Sequence, residues 1–284
     1  MKKEKQNLLC EADREEVIKL INELHEHKTQ YAEFKSFCKT CDDALKIAYA
    51  LLNNDLKEFK KHSLKYTQHT ADKMRGIDSL STYKKTSRIC VYLSQHNGIC
   101  KKCYAEKSIK LYKAALRPSL VYNTLLLKYI DICDAQIPYI NNKFFRFESF
   151  SDLQSAKHFN NLLKVCKKNK NTIFTLWTKA GYTLKAMMDE EHIKRLPSNL
   201  NIVISEFYIN KKTDLLYLEQ LQTVLYPHQA TNKKYTNSLK CFCVFDDEEK
   251  RKNSNMYMCK NSCINCLKCY KKSKNIIYIA EKIH

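Results

Sequence analysis

The chain has 284 residues and 44% hydrophobic content, enough to fill a sizeable core, so disorder is excluded for most of it. Its only glycines, Gly76, Gly98 and Gly181, stand far apart, which excludes the glycine-rich phosphate loops of P-loop and dinucleotide-binding proteins. The formal charge of +20 comes almost wholly from lysine, which attracts polyanions at range but lacks the arginine fork that reads phosphates and bases; contact with nucleic acid through a lysine-rich surface and an AT-biased coding composition both explain it.

From Glu11 to about Leu64 the apolar residues recur at helical spacing, first Val17, Ile18, Ile21 and Leu24, then Leu45, Ala48, Leu51, Leu52 and Phe59, which predicts a helical N-terminal segment over 1–72. Cys38 and Cys41 fall between these helices with a CxxC spacing, but no second pair lies nearby in sequence, so two thiols at a helix junction is the preferred reading. After Gly76 the texture changes. Arg88–Leu93 (RICVYL) reads as a strand leading into Cys100 and Cys103, and Ala105–Cys133 as a long helical segment broken or restarted at Pro118. A regular order follows: strand Phe144–Phe150, helix Asp152–Lys168, strand Ile173–Thr178, helix Tyr182–Lys194 and strand Asn201–Phe207.

This alternation predicts right-handed βαβ units on a parallel sheet, closed or partly closed as a barrel, over 73–226. In such sheets the ligand site forms at the carboxyl ends of the strands, which places Glu148, Ser149, Ser151, Asp152, Thr178, Lys179, Ser205 and Glu206 around one mouth, with the Cys100/Cys103 loop reaching it. Residues 227–284 are lysine-rich, hold six cysteines and end in a strand-like run, Ile276–Ile279, and so predict a small cysteine-rich metal-binding appendage. No apolar run approaches the ~20 residues of a membrane span. Met1–Glu15 lacks the apolar region of a secretory signal, so a reducing compartment is expected and clustered cysteines read as metal ligands or redox groups before disulfides.

Two cysteine groups stand out. Cys90, Cys100 and Cys103 leave a four-coordinate metal one ligand short; His96 could complete structural zinc, and the vacancy would suit an iron–sulfur cluster that binds a small chelating molecule, so zinc, cluster and uninvolved thiols all remain open. Cys259, Cys263, Cys266 and Cys269 lie among polar residues in so short a span that buried packing does not explain them; thiolate ligation suits either zinc or an iron–sulfur cluster, and the role of Cys241 and Cys243 upstream is open. Cys10, Cys133 and Cys166 stand alone, the latter two on apolar helical stretches that read as packing.

The run K-M-R-G-I-D-S-L-S-T at Lys73–Thr82, followed by Cys90 and by Cys100-x-x-Cys103-Tyr104-Ala105, resembles the phage gene product eighty-eight family. Arg117 and Asn123 after the cysteine loop, F-R-F-E-S-F-S-D at Phe145–Asp152, L-W-T-K at Leu176–Lys179, Pro197–Ser205 and the Cys259–Cys269 cluster follow in the same order, so the resemblance covers about Lys73 to His284. Two departures are visible: Ser151 stands where a glycine is expected before Asp152, and the gap between the first two cysteines is long.

The family resembles divergent radical S-adenosylmethionine enzymes with a partial barrel. The resemblance thus implies a phage protein in the cytoplasm of a bacterial host, with a 4Fe-4S cluster held by Cys90, Cys100 and Cys103 whose free iron binds S-adenosylmethionine. Arg146, Glu148, Ser149, Asp152 and Thr178 become candidates to bind the cofactor's ribose, amino or carboxylate groups. Each has a plainer role to set beside that one: Arg146 and Glu148 could form a salt bridge, and Asp152 is a natural helix N-cap, the reading preferred for it. The alternative to catalysis is a zinc-binding, basic protein that contacts nucleic acid or a host component.

Overall fold

The computed structural model describes residues 7–68, 72–227, 239–259 and 262–282. The N-terminal expectation is met by α1 (Glu11–Gln30), α2 (Lys35–Leu52) and the short α3 (Leu56–Phe59). Val17, Leu20, Ile21 and Leu24 of α1 and Cys41, Ala44, Leu45 and Ala48 of α2 are buried, the one-sided spacing that lets two helices share an apolar seam. Cys38 and Cys41 do not join two helices: both lie inside α2, one turn apart, where Cys38 Sγ donates to the carbonyl of Tyr31 and burial pushes the Cys41 thiol up to about 11.

Seven parallel strands form one sheet in the order β1-β2-β3-β4-β5-β7-β6: β1 (Asp78–Leu80), β2 (Phe144–Phe147), β3 (Ile173–Thr178), β4 (Leu200–Ser205), β5 (Leu239–Phe245), β6 (Tyr257–Met258) and β7 (Ile277–Lys282). The sheet is not closed; β1 and β6 are its edges. Between strands run α4 (Arg88–Ser94), α5 (Tyr104–Leu111), α6 (Lys113–Leu127), α7 (Ala156–Lys168), α8 (Leu184–Glu190), α9 (Leu215–Leu225), α10 (Glu248–Asn253) and α11 (Cys263–Cys266). Pro118 lies within α6 without ending it; the Ala114 carbonyl that its missing amide leaves free lies 3.0 Å from His27 Nε2 instead.

Three sequence expectations change. Arg88–Leu93 is helix α4, not a strand: the Ser87 hydroxyl caps it by accepting from the Cys90 amide, and Val91 and Tyr92 stay exposed at 43% and 60%, so no sheet partner claims its β-branched residues. The α7 helix starts at Ala156 with Ser155 as its cap, accepting from the His158 amide, which leaves Asp152 outside the helix and free for another role. The C-terminal region is not set apart as an appendage, because β5, β6 and β7 extend the same sheet; its lysine-rich stretch 228–238 lies outside the described residues.

Alternation along the strands gives the sheet two different faces. Phe145, Phe147, Phe174, Leu176, Leu200, Ile202, Ile204, Leu239, Cys241 and Cys243 join the main core with the helices. The opposite face carries Arg146, Thr175, Trp177, Asn201, Val203, Lys240 and Phe242, a far more polar set. The cysteine-rich C-terminal segment lies over that second face: Asn201 Nδ2 donates to the Tyr270 carbonyl at 3.0 Å, the Tyr270 ring meets Phe144 edge-on at 5.4 Å, and Lys73 pairs with Glu281 of β7. Among the described residues no helix is long and apolar enough to cross a membrane.

Candidate functional site

Two thiol-bearing centres sit on this frame. At the carboxyl ends of β2 and β3, Cys90 on α4 and Cys100 on a 3-10 turn (Ile99–Lys102) stand near Asp152 and Lys179, with Cys103, at the N-cap of α5, next to Cys100. Burial pushes the Cys90 thiol up to about 12, with the Asp152 charge adding to it and Lys179 opposing; burial likewise raises Cys100, against Lys179. The Lys179 ammonium is itself held above its ordinary value: burial works to lower it, and the charges of Cys100, Asp152 and Cys90 outweigh that. A cation beside two thiols and a carboxylate is an arrangement that offsets thiolate charge, which any metal bound there would call out by displacing protons.

The loop is held in place by β4. Glu206 accepts from the Phe207 and Tyr208 amides at 3.0 and 3.1 Å and from the Thr213 hydroxyl, and the Phe207 carbonyl in turn accepts from the Ile99 amide at 3.0 Å. Gly98 is the contact point. A Cβ there would stand 2.5, 2.7 and 2.8 Å from three atoms of the Phe207 ring, a rigid group with no end to swing aside. Gly98→Ala is therefore expected to push the cysteine loop off β4 at a cost of about 1–3 kcal/mol, read as faster labelling of Cys100 and Cys103 by a thiol reagent with the far-ultraviolet spectrum unchanged. Labelling at the wild-type rate would show that the loop does not depend on this contact.

Of the residues read as a cofactor-binding set, four gather here and one does not. Asp152 does not cap α7; its carboxylate accepts from the Leu153 amide at 2.8 Å, the Thr178 hydroxyl at 2.5 Å and the Lys179 amide at 2.8 Å, tying the end of β2 to the end of β3. Thr178 Oγ1 also accepts from the Ala180 amide. Ser149 is buried, its amide bonded to Ser81 Oγ and its carbonyl accepting from the Tyr104 hydroxyl, while its own Oγ has no partner among the described residues. Glu148 sits at φ 56, a left-handed conformation rare for a side chain of its size, and is 2% exposed. Its Oε2 accepts from the Thr82 amide and hydroxyl at 3.3 and 3.1 Å, and its Oε1 lies 3.4 Å from His158 Nε2.

Arg146 is elsewhere. It makes no salt bridge with Glu148; it points to the opposite face, its guanidinium 4.3 Å above the Trp177 ring and 3.7 Å from Met74 Sδ, with Nε unpartnered among the described residues. Its charge acts on Cys263 and Cys269, so it belongs with the second centre. There Cys259, Cys263, Cys266 and Cys269 line one narrow cleft with Lys73 and Trp177. Burial pushes Cys269 up to about 12, the neighbouring thiols adding and Arg146 opposing. Lys240, fully buried on β5 beside Cys269, is lowered to about 8 by burial.

Cys241 and Cys243 stand outside both centres. They point from β5 into the main core, Sγ to Sγ 3.7 Å, and are fully buried. His96 is exposed, its Nδ1 at 2.7 Å from the Tyr92 carbonyl and its ring against Tyr92 at 4.2 Å.

The donor chemistry of both centres is that of thiolate-bound metal, yet among the described residues no three or more His, Cys, Asp or Glu side chains converge closely enough to hold one ion. Thiolates on a single zinc at about 2.3 Å stand roughly 3.8 Å apart, whereas those of an iron–sulfur cluster each bind a different iron and stand wider. The free space between the four C-terminal thiols is about 20 Å³, enough for one water-sized body, so any larger group moves these side chains outward. His158 and Lys73 are the partners that sequence reading missed; each is a lone residue in its local run, and only the fold brings them to Glu148 and to the second cleft.

No curated protein and no solved structure matches this chain. One family model does, over residues 45–272, a span that begins inside α2, upstream of the Lys73 start of the sequence resemblance, and takes in both cysteine centres and the sheet up to the segment before β7. The chain belongs to the Gene product 88 family.

Proposed function

We propose that the protein is an iron–sulfur protein of the radical S-adenosylmethionine kind, with a 4Fe-4S cluster at Cys90, Cys100 and Cys103 and a second, structural thiolate-bound group, zinc or iron–sulfur, at Cys259, Cys263, Cys266 and Cys269. The observation that carries this reading is the placement of Cys90 and Cys100 beside a lysine and a buried carboxylate, with Cys103 next to Cys100, at the carboxyl end of a parallel sheet, where open α/β folds bind their ligands. Cys90, Cys100 and Cys103 would hold such a cluster, which with S-adenosylmethionine would supply radical chemistry for hydrogen abstraction.

The chain's own residues do the rest. Lys179 offsets thiolate charge, Asp152 fixes Thr178 and the Lys179 backbone in register, and the loop after β4 covers the cysteines. Glu148, Ser149 and Thr178 supply polar groups at the same mouth, Ser149 Oγ and Glu148 Oε1 having no hydrogen-bond partner among the described residues. Arg146 serves the other centre, where with Lys73 it offsets the charge of the C-terminal thiolates.

Anaerobic purification followed by iron, sulfide and zinc analysis tests the reading, comparing wild type with Cys100→Ala/Cys103→Ala and with Cys263→Ala/Cys266→Ala. Iron and sulfide that fall by one cluster in the first variant, with cleavage of S-adenosylmethionine under reduction lost, support it. Zinc alone, unchanged by the first variant, removes the cluster from the sheet end and leaves a metal-stabilised binding protein.

A further inference from the structure

A second concave site lies beside the cysteine loop, and nothing in the cluster reading uses it. The 3-10 turn Lys84–Thr86, α5 and the start of α6 enclose a cavity of about 260 Å³ lined by Lys84, Lys85, Lys110, Lys113 and Arg117, with Glu106 at its wall. Glu106 pairs with Lys84 at 2.5 Å and more loosely with Lys110 at 3.7 Å, and Glu23 at the rim accepts from the Tyr83 hydroxyl at 3.1 Å. Five cations thus face two carboxylates. Lys113 reaches only the side-chain oxygen of Gln30, and Arg117 Nε is buried with no hydrogen-bond partner among the described residues.

Leaving a buried guanidinium nitrogen unbonded is costly, and an anion that accepts from it offsets that cost. The positive field is felt nearby: His27 is held below its ordinary value, chiefly by burial, with Arg117 and Lys113 adding to the effect.

We propose that this cavity binds a compact polyphosphate group, such as the di- or triphosphate of a small phosphorylated ligand. A net excess of three positive charges calls for an anion of several charges, which one carboxylate does not supply. Lysines grip phosphates as point charges, and the single arginine adds the planar fork. A concavity of about 260 Å³ matches a compact group, whereas a nucleic-acid strand needs a basic groove that runs on along its backbone. The site does not depend on a cluster. It does stand close to one: the Cys103 and Cys90 charges bear on Lys84, so a ligand anchored here by its phosphates has the cysteine loop within its surroundings.

Titration calorimetry on the full chain with inorganic tripolyphosphate, and with single-stranded DNA bearing either a 5′-phosphate or a 5′-hydroxyl, tests this at low and at moderate salt. Tripolyphosphate is expected to bind, Arg117→Ala and Lys113→Ala each to weaken it roughly tenfold, and Glu106→Gln to tighten it by removing a competing carboxylate. Lys185→Ala, on α8, serves as an exposed-lysine control and leaves binding unchanged. DNA bound only through its 5′-phosphate, with the same dependence on Arg117, would also support the site and identify its ligand as a strand end. Absence of binding to every probe, or binding indifferent to Arg117 and Lys113 in variants of native circular dichroism, overturns the proposal.

Discussion

Replacing Glu148 with alanine is expected to lower the unfolding free energy by about 2–4 kcal/mol, since two buried donors of Thr82 lose the one acceptor they share. Both Glu148 and His158 side chains are fully buried, and the His158 Nδ1 already accepts from the Gln154 amide at 3.1 Å, so the ring's other nitrogen carries its proton toward Glu148. Removing the carboxylate strands the Thr82 amide and hydroxyl together and leaves the neutral His158 ring beside a void. Glu148→Leu combined with His158→Phe should cost less than the sum of the two single changes, because the pair is removed as a unit. The backbone adds a second signature. At φ 56, alanine keeps the left-handed strain and glycine does not, so Glu148→Gly should be more stable than Glu148→Ala by about 1 kcal/mol. Urea denaturation of the five variants reads all of this; a loss within experimental error for Glu148→Ala would mean that the network is idle.

Asp152→Ala is expected to be the other large effect, about 3–5 kcal/mol, since three donors lose one charged acceptor and each such bond contributes about 1.5–3 kcal/mol before relaxation. Asp152→Asn keeps one acceptor oxygen and should lose roughly half as much. A further readout separates this residue from an ordinary core contact. Lys179 loses its carboxylate neighbour in both variants, so under the proposed function the metal content of the Cys90, Cys100 and Cys103 centre should change as well as the stability. Lowered stability with wild-type metal content would confine Asp152 to tying β2 and β3 together.

The sequence was most legible where local pattern and tertiary demand agree. The strand Ile173–Thr178 is found at those same residues, because its apolar run is buried in the middle of the sheet and a threonine ends it at the ligand edge. The helical N-terminus was equally readable from its spacing. Failure came where one residue decides the outcome. Arg88–Leu93 has strand-like composition, yet the Ser87 cap and the lack of a neighbouring strand make it a helix. The cysteine groups were visible as spacing, and the cavity lined by Cys259, Cys263, Cys266 and Cys269 brings the second one together. What spacing could not reveal is the division of labour by face: Arg146 and Glu148 are two residues apart, so both were assigned to one mouth, but the left-handed turn at Glu148 ends the alternation and sends the two to different centres. Lys73 meets Glu281 across most of the chain, and His158 meets Glu148 only because the chain turns back between β2 and α7, so no local pattern announces either contact.

The order β5-β7-β6 has a consequence for how the molecule is made. Strand β7 follows β6 in the chain but inserts between β6 and β5, so during synthesis neither β6 nor the cysteine segment next to it has its neighbour until β7 has left the ribosome. Until then β5 presents an unpaired edge and the thiols of the C-terminal segment stay accessible. Long-range parallel pairing of this kind is slow to form, so the nascent chain passes through a window in which the edge of β5 can recruit another strand and the thiols can be oxidised or take up the wrong metal. Chaperone dependence and yield on expression should therefore be governed by the emergence of β7, more than by that of the helices α1–α3.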